Sequence, residues 1–309
     1  MAVLEWIRLL RLPNVATAVA DVLAGWLVVT QARSLGWPGP AAGLAIAAGA
    51  CFYAAGMVLN DVFDLEIDRA ERPERPLPRG AINAGTAAAV GMALLTGGAA
   101  AACAAAFVSG FPAVALVGAA LTAAVWLYDR HAKRTPWGPA VMGACRGLNW
   151  LLGMTAAGGP NAPHEWLVPV GMGVYVAGIT LYARDDAGRS RVPVLLGGAG
   201  LMIAGLAAAA GHAVLLADAG DGSTWLAGGR LSSWLLLWAV LATSILLRAG
   251  LGIVEPTPGR VGAAVGNCIG SIITLDAVLV LASCGEQWAI VVLLLLAPFV
   301  AGRRLVSAT

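Results

Sequence analysis

The sequence predicts an all-α membrane protein, a single domain over residues 1–309 built as a multi-spanning bundle of nine to ten transmembrane helices. Three observations carry that reading. Hydrophobic residues make up 59% of the chain and charged residues 12%, with a mean hydropathy of +0.81, whereas soluble domains carry about 25% charged residues. Ten apolar segments are long enough, or nearly so, to cross a hydrocarbon core of about 30 Å. The segments are rich in Ala and Leu and lack the alternation of membrane strands, so helices satisfy the backbone in lipid.

In chain order the segments fall near 14–31, 41–60, 84–108, 111–128, 137–157, 166–183, 193–217, 231–252, 261–283 and 286–302. The last is the shortest, and reads as a span, as a re-entrant segment or as an extension of the ninth. The 40 glycines fit close helix–helix packing, because small residues let membrane helices approach. The N-terminal stretch Met1 to Arg11 is not followed by a cleavage site and is expected to be retained.

The basic residues divide by connection. Arg69, Arg72, Arg75 and Arg79 follow the second segment, Arg130, Lys133 and Arg134 the fourth, Arg184, Arg189 and Arg191 the sixth, and Arg248 and Arg260 the eighth. Both ends of the chain are basic as well. The odd connections carry only Arg33 and Arg230. By the positive-inside rule both termini and the even connections are expected in the cytoplasm, as in an inner-membrane protein. The pattern closes only with an even number of spans.

A net charge of +2 gives no case for nucleic-acid binding. The five cysteines are odd in number, widely spaced and without a CxxC, and His131, His164 and His212 stand apart in the sequence. Neither a disulfide framework nor a zinc site is indicated. His212 reads as a packed polar residue.

The longest charged stretch runs from Asn60 to Gly80, NDVFDLEIDRAERPERPLPRG, directly after the second segment. Asp61, Asp64 and Asp68 are spaced i, i+3 and i+7, which places them on one face of a continuous helix over two turns. Three like charges there repel unless a cation lies among them. Asn60 adds an amide oxygen, and an all-oxygen set on a helix suits Mg²⁺, which shares phosphate oxygens with a substrate. Glu66 points about 160° away from Asp64. Pro73, Pro76 and Pro78 are expected to hold the next segment extended. Arg72, Arg75 and Arg79 then face a common anion, for which guanidinium forks are suited. A solvated loop of mixed charge is the plain alternative.

This stretch resembles the first motif of the UbiA superfamily of intramembrane prenyltransferases, NDxxDxxxD followed by an RPL-type loop. Arg11-Leu-Pro-Asn14 resembles the family's entry to its first helix, and Tyr128-Asp-Arg-His-Ala-Lys133 its Tyr/Lys loop, with one extra residue between Tyr128 and Lys133. The resemblance implies a helical bundle around a central cavity, with two Asp-rich motifs holding Mg²⁺ and a diphosphate. The second motif departs from the pattern. Thr180-Leu-Tyr182-Ala183-Arg184-Asp185-Asp186 keeps Tyr182, Ala183 and Asp186, while Ile179 and Ser190 stand where the family has acids.

The resemblance implies Mg²⁺-dependent transfer of a prenyl group from an isoprenoid diphosphate to a small-molecule acceptor. Asn60, Asp61, Asp64, Asp68 and Asp186 are then the metal set. Arg72, Arg75, Arg79, Lys133, Arg146 and Arg184 are the phosphate-binding cations. Asn149, Tyr182 and Asp185 are candidates to orient the acceptor. An Arg at membrane depth costs on the order of 2.5–3.5 kcal/mol, so Arg146 is expected to meet either an anion or one of the mid-span acids, Asp21 and Asp276. The stretch Arg146-Gly-Leu-Asn149, with the weakened second motif, resembles the UbiA-like branch encoded in Ebo-type biosynthetic operons. Two other readings use the same scaffold: transfer of a sugar- or cyclitol-phosphate group to a polyprenyl phosphate, and a non-catalytic lipid carrier or transporter.

Overall fold

The computed structural model describes residues 2–31, 38–184, 190–220 and 224–307, and among them every regular element is helical. The helices are α1 (Ala2–Leu9), α2 (Leu12–Thr30), α3 (Pro40–Phe63), α4 (Leu65–Glu71), α5 (Ala84–Ser109), α6 (Ala113–Arg130), α7 (Gly138–Ala156), α8 (Leu167–Tyr182), α9 (Val192–Asp218), α10 (Thr224–Ala227), α11 (Leu231–Val254), α12 (Pro258–Gly270), α13 (Ile272–Cys284), α14 (Glu286–Leu293) and α15 (Leu296–Ser307). Proline stands in the first turn of α2, α3, α7, α9 and α12, where its missing N–H costs nothing and its fixed φ suits the helix. Asn83 caps α5 by accepting from the Thr86 N–H at 3.2 Å, and Gly110 ends it in the left-handed region at φ 75°, which favours glycine.

Among the described residues, nine helical segments are long and apolar enough to cross a membrane. α7, with 19 residues, has spanning length as well, but Arg146 and Asn149 lower its hydropathy. The protein is an integral membrane protein. The ninth apolar run is one span broken at Ser271, between α12 and α13, and the last run is broken at Leu294 and Leu295, between α14 and α15. Exposed apolar side chains such as Phe107, Leu116, Leu236 and Val254 form the face such a protein turns to lipid.

α2 and α7 lie at the centre. They contribute to a core with α3, α5 and α6 on one side and to a larger core with α8, α9 and α11 to α15 on the other. Glycines set the close approaches. A Cβ on Gly178 of α8 would lie 2.7 Å from the Gly198 carbonyl oxygen of α9, and one on Gly173 of α8 would lie 2.9 Å from the Gly143 carbonyl oxygen of α7. A Cβ on Gly153 of α7 would collide with the Val22 carbonyl of α2. Without these hydrogens-only positions the central helices could not touch backbone to backbone. A third, smaller core joins Leu9 of α1, Val58 of α3, Leu77 and Ile82, so the proline-rich segment packs back onto the end of α3.

Candidate active site

One end of the bundle gathers the charged residues. α3 delivers Asn60 and Asp61 and ends at Phe63; Asp64 is the joint, at φ −94° and ψ 2°, and α4 then carries Asp68. The three aspartates therefore do not ride one continuous helix. The Asp64 N–H still bonds the Asn60 carbonyl at 3.0 Å and the Asp68 N–H the Asp64 carbonyl at 2.8 Å, so the turn-by-turn stacking survives the joint. Asp61 and Asp68 are buried, and Asp64 is partly exposed. Glu66 turns outward and pairs with Arg69 at 2.6 Å.

The proline-rich segment is not extended. It folds into successive turns, closed by Arg75 N–H to Arg72 O at 3.1 Å, Gly80 N–H to Leu77 O at 3.0 Å and Ala81 N–H to Pro76 O at 2.9 Å. Proline's fixed φ pre-sets turns as readily as it forbids helix, and burial of Leu77 and Ile82 draws the segment inward. These turns aim Arg75 at the acids: its Nη1 lies 2.7 Å from Asp68 Oδ2 and 3.5 Å from Asp61 Oδ1. Arg79 diverges and pairs with Glu5 of α1, and the guanidinium beside Glu5 holds its carboxyl below the ordinary range. Arg72 is half-buried at the end of α4. The three arginines do not share one target in this structure.

A short turn after α6, Ala132–Arg134, brings two more cations. Lys133 Nζ lies 2.7 Å from Asp64 Oδ2 and donates to Asn60 Oδ1 at 3.1 Å; Arg134 holds the other Asp64 oxygen. Two residues absent from the sequence-based set also belong here. Arg11, in the left-handed region at φ 45° between α1 and α2, places its guanidinium 3.5 Å from Asp61 Oδ1. A side chain in that region is strained, and such strain gathers at functional sites. Asp129, on the last turn of α6, is buried, and its Oδ2 has no hydrogen-bond partner. The adjacent basic residue Arg130 masked Asp129 as ordinary loop charge in the sequence. Arg11 was visible only through the Arg-Leu-Pro-Asn resemblance.

The remaining candidate residues lie elsewhere. Arg146 does not face the cluster; its Nε pairs with Asp21 Oδ2 at 2.9 Å. Asn149 donates to the same oxygen and to the Ala18 carbonyl, both at 2.9 Å. Tyr182 is buried and its hydroxyl donates to the Ala249 carbonyl at 2.6 Å, which makes it a brace between α8 and α11. Arg184 is exposed. Asp185 and Asp186 lie outside the described residues. His164 and His212, far apart in sequence, have ring centroids 5.3 Å apart. His212 is held by the His164 carbonyl at 3.2 Å and Ser283 Oγ at 3.0 Å.

Among the described residues no three His, Cys, Asp or Glu side chains come close enough to hold a metal by themselves. The donor chemistry nevertheless fits Mg²⁺. The buried carboxylates of Asp61 and Asp68 and the partly exposed one of Asp64 are all-oxygen donors, and each is met by a cation. A hard divalent ion that keeps waters and takes phosphate oxygens needs only one or two such carboxylates.

The model of the UbiA prenyltransferase family matches residues 18–265. The chain belongs to the UbiA prenyltransferase family. Its relatives include the digeranylgeranylglyceryl phosphate synthase of Ignicoccus hospitalis, 34% identical over 130 residues, which cover 42% of this chain and 39% of that one. The synthase of the same name from Methanoculleus marisnigri is 32% identical over 159 residues, covering 51% and 53%. The chain thus matches about half or less of the length of these two UbiA relatives. The protoheme IX farnesyltransferase of Geobacter sulfurreducens is 31% identical over 192 residues, 59% of this chain and 66% of that one. Among solved structures, a UbiA homologue from Archaeoglobus fulgidus bound to GPP and Mg²⁺ superposes with a TM-score of 0.58 over 87% of this chain and 99% of the homologue, at 16% identity. The apo UbiA homologue from Aeropyrum pernix superposes at 0.59 over 84% and 97%, at 22% identity. These likenesses establish the UbiA fold for the bundle described above.

Proposed function

We propose that this UbiA-family chain transfers a prenyl group from an isoprenoid diphosphate to an acceptor at the charged end of the bundle, with Mg²⁺ held by Asp61, Asp64 and Asp68 and, on the second motif, by Asp186. The observation that carries the reading is the clustering of these acids with Arg11, Arg75, Lys133 and Arg134 at one end of a predominantly apolar bundle. That is the charge pattern a metal–diphosphate needs beside a hydrocarbon chain in a lipid-like interior. Two relatives are named for unrelated acceptors, a glyceryl phosphate lipid and protoheme, so the shared elements serve the diphosphate and not one acceptor.

Bound Mg²⁺ supplies Lewis-acid stabilisation of the departing diphosphate. Arg75, Lys133 and Arg134, which stand on carboxylates, would be free to donate to phosphate oxygens once those acids held the metal. Arg11 adds a further cation beside Asp61. Together they stabilise charge as the C–O bond breaks. The predominantly apolar interior of the bundle would exclude water from the allylic cation, and the acceptor would attack it there. We place the charged end and both termini on the cytoplasmic side, because the basic connections cluster there.

The test is reconstitution in nanodiscs with radiolabelled geranyl, farnesyl and geranylgeranyl diphosphates and a panel of hydroxyl, phosphoryl and aromatic acceptors. Diphosphate release that needs Mg²⁺ and stops with EDTA is the expected result. Metal-independent movement of the lipid across a bilayer, with no product, would replace this reading with a carrier. Labelling of single cysteines from either side of the membrane checks the sidedness.

A further inference from the structure

Deep in the bundle, away from the acidic cluster, three helices bring charge together. Asp21 of α2 and Asp276 of α13 are both completely buried, at 0% exposure, and Arg146 of α7 is 7% exposed. Arg146 Nε lies 2.9 Å from Asp21 Oδ2, and Nη1 and Nη2 reach the Thr17 hydroxyl and carbonyl at 3.4 Å. Asn149 Nδ2 donates to the same Asp21 Oδ2 at 2.9 Å. Among the described residues, the other Asp21 oxygen and both oxygens of Asp276 accept no well-formed hydrogen bond. α13 packs along α2, and Asp21 has the Asp276 carboxyl and the Trp150 indole as its neighbours there. Tyr175, the nearby hydroxyl on α8, is committed to the Cys268 carbonyl at 3.0 Å.

Two ionised carboxylates cannot hydrogen-bond, since each only accepts. Side by side in a low-dielectric interior they repel strongly, and one of such a pair keeps its proton. One guanidinium is available, and it balances one negative charge. An uncompensated charge at membrane depth costs several kcal/mol.

We propose that Asp21 and Asp276 bind one proton between them, forming with Arg146 a charge-neutral proton site that joins α13 to α2 and α7. The ligand is a single proton, shared across the two carboxyls. Asp21 carries the negative charge that answers Arg146, and Asp276 supplies the O–H that satisfies the free oxygen of Asp21. The site goes beyond the prenyl-transfer reading, and it stands whether or not that reading holds. It also accounts for Arg146 being withheld from the diphosphate end: its charge is spent on the bundle interior.

The charge count makes the test sharp. In purified protein in nanodiscs, infrared spectra of wild type minus Asp276→Asn should show a protonated-carboxyl C=O band that shifts in D₂O. Asp21→Asn and Asp276→Asn each leave one carboxylate for Arg146 and one amide N–H in place of the shared proton, so each should fold and unfold thermally much like wild type. The double Asp21→Asn/Asp276→Asn variant leaves Arg146 without an anion and should lose folded protein, and adding Arg146→Met should restore it. Absence of the carboxyl band in wild type overturns the proposal, and that measurement needs no variant to be stable other than Asp276→Asn. A double variant as stable as the singles overturns it as well, since the pair would then carry no charge.

Discussion

Arg75 Nη1 stands 2.7 Å from Asp68 Oδ2 and 3.5 Å from Asp61 Oδ1, and so bridges two aspartates seven residues apart on either side of the joint at Asp64. Both acids are buried, and Arg75 reaches both of them while Arg11 stands beside Asp61. The same oxygens are those proposed to take metal. Cation and metal therefore compete for one set of carboxylates, and each can stand in for the other electrostatically.

Arg75→Ala should expose this competition. The variant leaves Asp61 and Asp68 uncompensated by Arg75 and is expected to lose about 1–3 kcal/mol, the usual cost of leaving a buried polar group unsatisfied. Because Mg²⁺ binds the folded state, it should raise the thermal midpoint of the variant more than that of wild type. Differential scanning fluorimetry across Mg²⁺ concentrations measures both. Equal Mg²⁺ responses would remove the bridging role.

Asp64→Ala should abolish transfer while leaving membrane expression intact, since Asp64 is the least buried of the three acids and its partners Lys133 and Arg134 lose no packing. Single-turnover assays with labelled prenyl diphosphate decide it, and full activity in this variant would sink the metal assignment. Lys133→Met should lower kcat/KM by about 10²–10³-fold, the scale of losing one preorganised charge stabiliser.

Arg11 offers a way to separate backbone from side chain. Glycine adopts φ 45° without strain, so Arg11→Gly should keep the α1–α2 joint and lose only the guanidinium next to Asp61. Arg11→Ala loses the guanidinium and keeps the strained backbone. Both should weaken diphosphate binding equally in a competition assay with a non-hydrolysable analogue, with the Gly variant the more stable. Unchanged affinity in both would make Arg11 a structural pin.

Tyr182→Phe should cost about 1 kcal/mol of stability, the net worth of one hydrogen bond, because its hydroxyl serves the Ala249 carbonyl. KM for the acceptor should stay constant. A rise in acceptor KM without a stability change would return Tyr182 to the substrate.

Gly153→Ala drives a methyl into the Val22 carbonyl, where α2 and α7 touch backbone to backbone. Backbone cannot yield as a side-chain tip does, and overpacking of this kind costs about 1–3 kcal/mol or more. Fluorescence-detected size exclusion should show loss of the monodisperse peak, whereas Gly200→Ala, which meets nothing within 4 Å, should run as wild type.

The sequence by itself determined the helical membrane class, the approximate spans and the identity of the charged end. Apolar length is a local property, and Asn60 to Gly80 is a contiguous motif whose charges stand out from their surroundings. Its spacing even survived the joint at Asp64, because the i to i−4 bonds continue through it. What the tertiary structure alone decided is which charge answers which. Proline forbids helix but does not choose between extended chain and turns; burial of Leu77 and Ile82 made that choice, and with it sent Arg75 to Asp68 and Arg79 to Glu5. Arg146 had either an anion or a mid-span acid open to it, and the packing of α7 on α2 gave it Asp21. Partners 125 or more residues apart, such as Asp21 with Arg146 and Asn149, leave no periodic trace in a chain, since ion pairing depends on distance in space and on the loss of water around both charges.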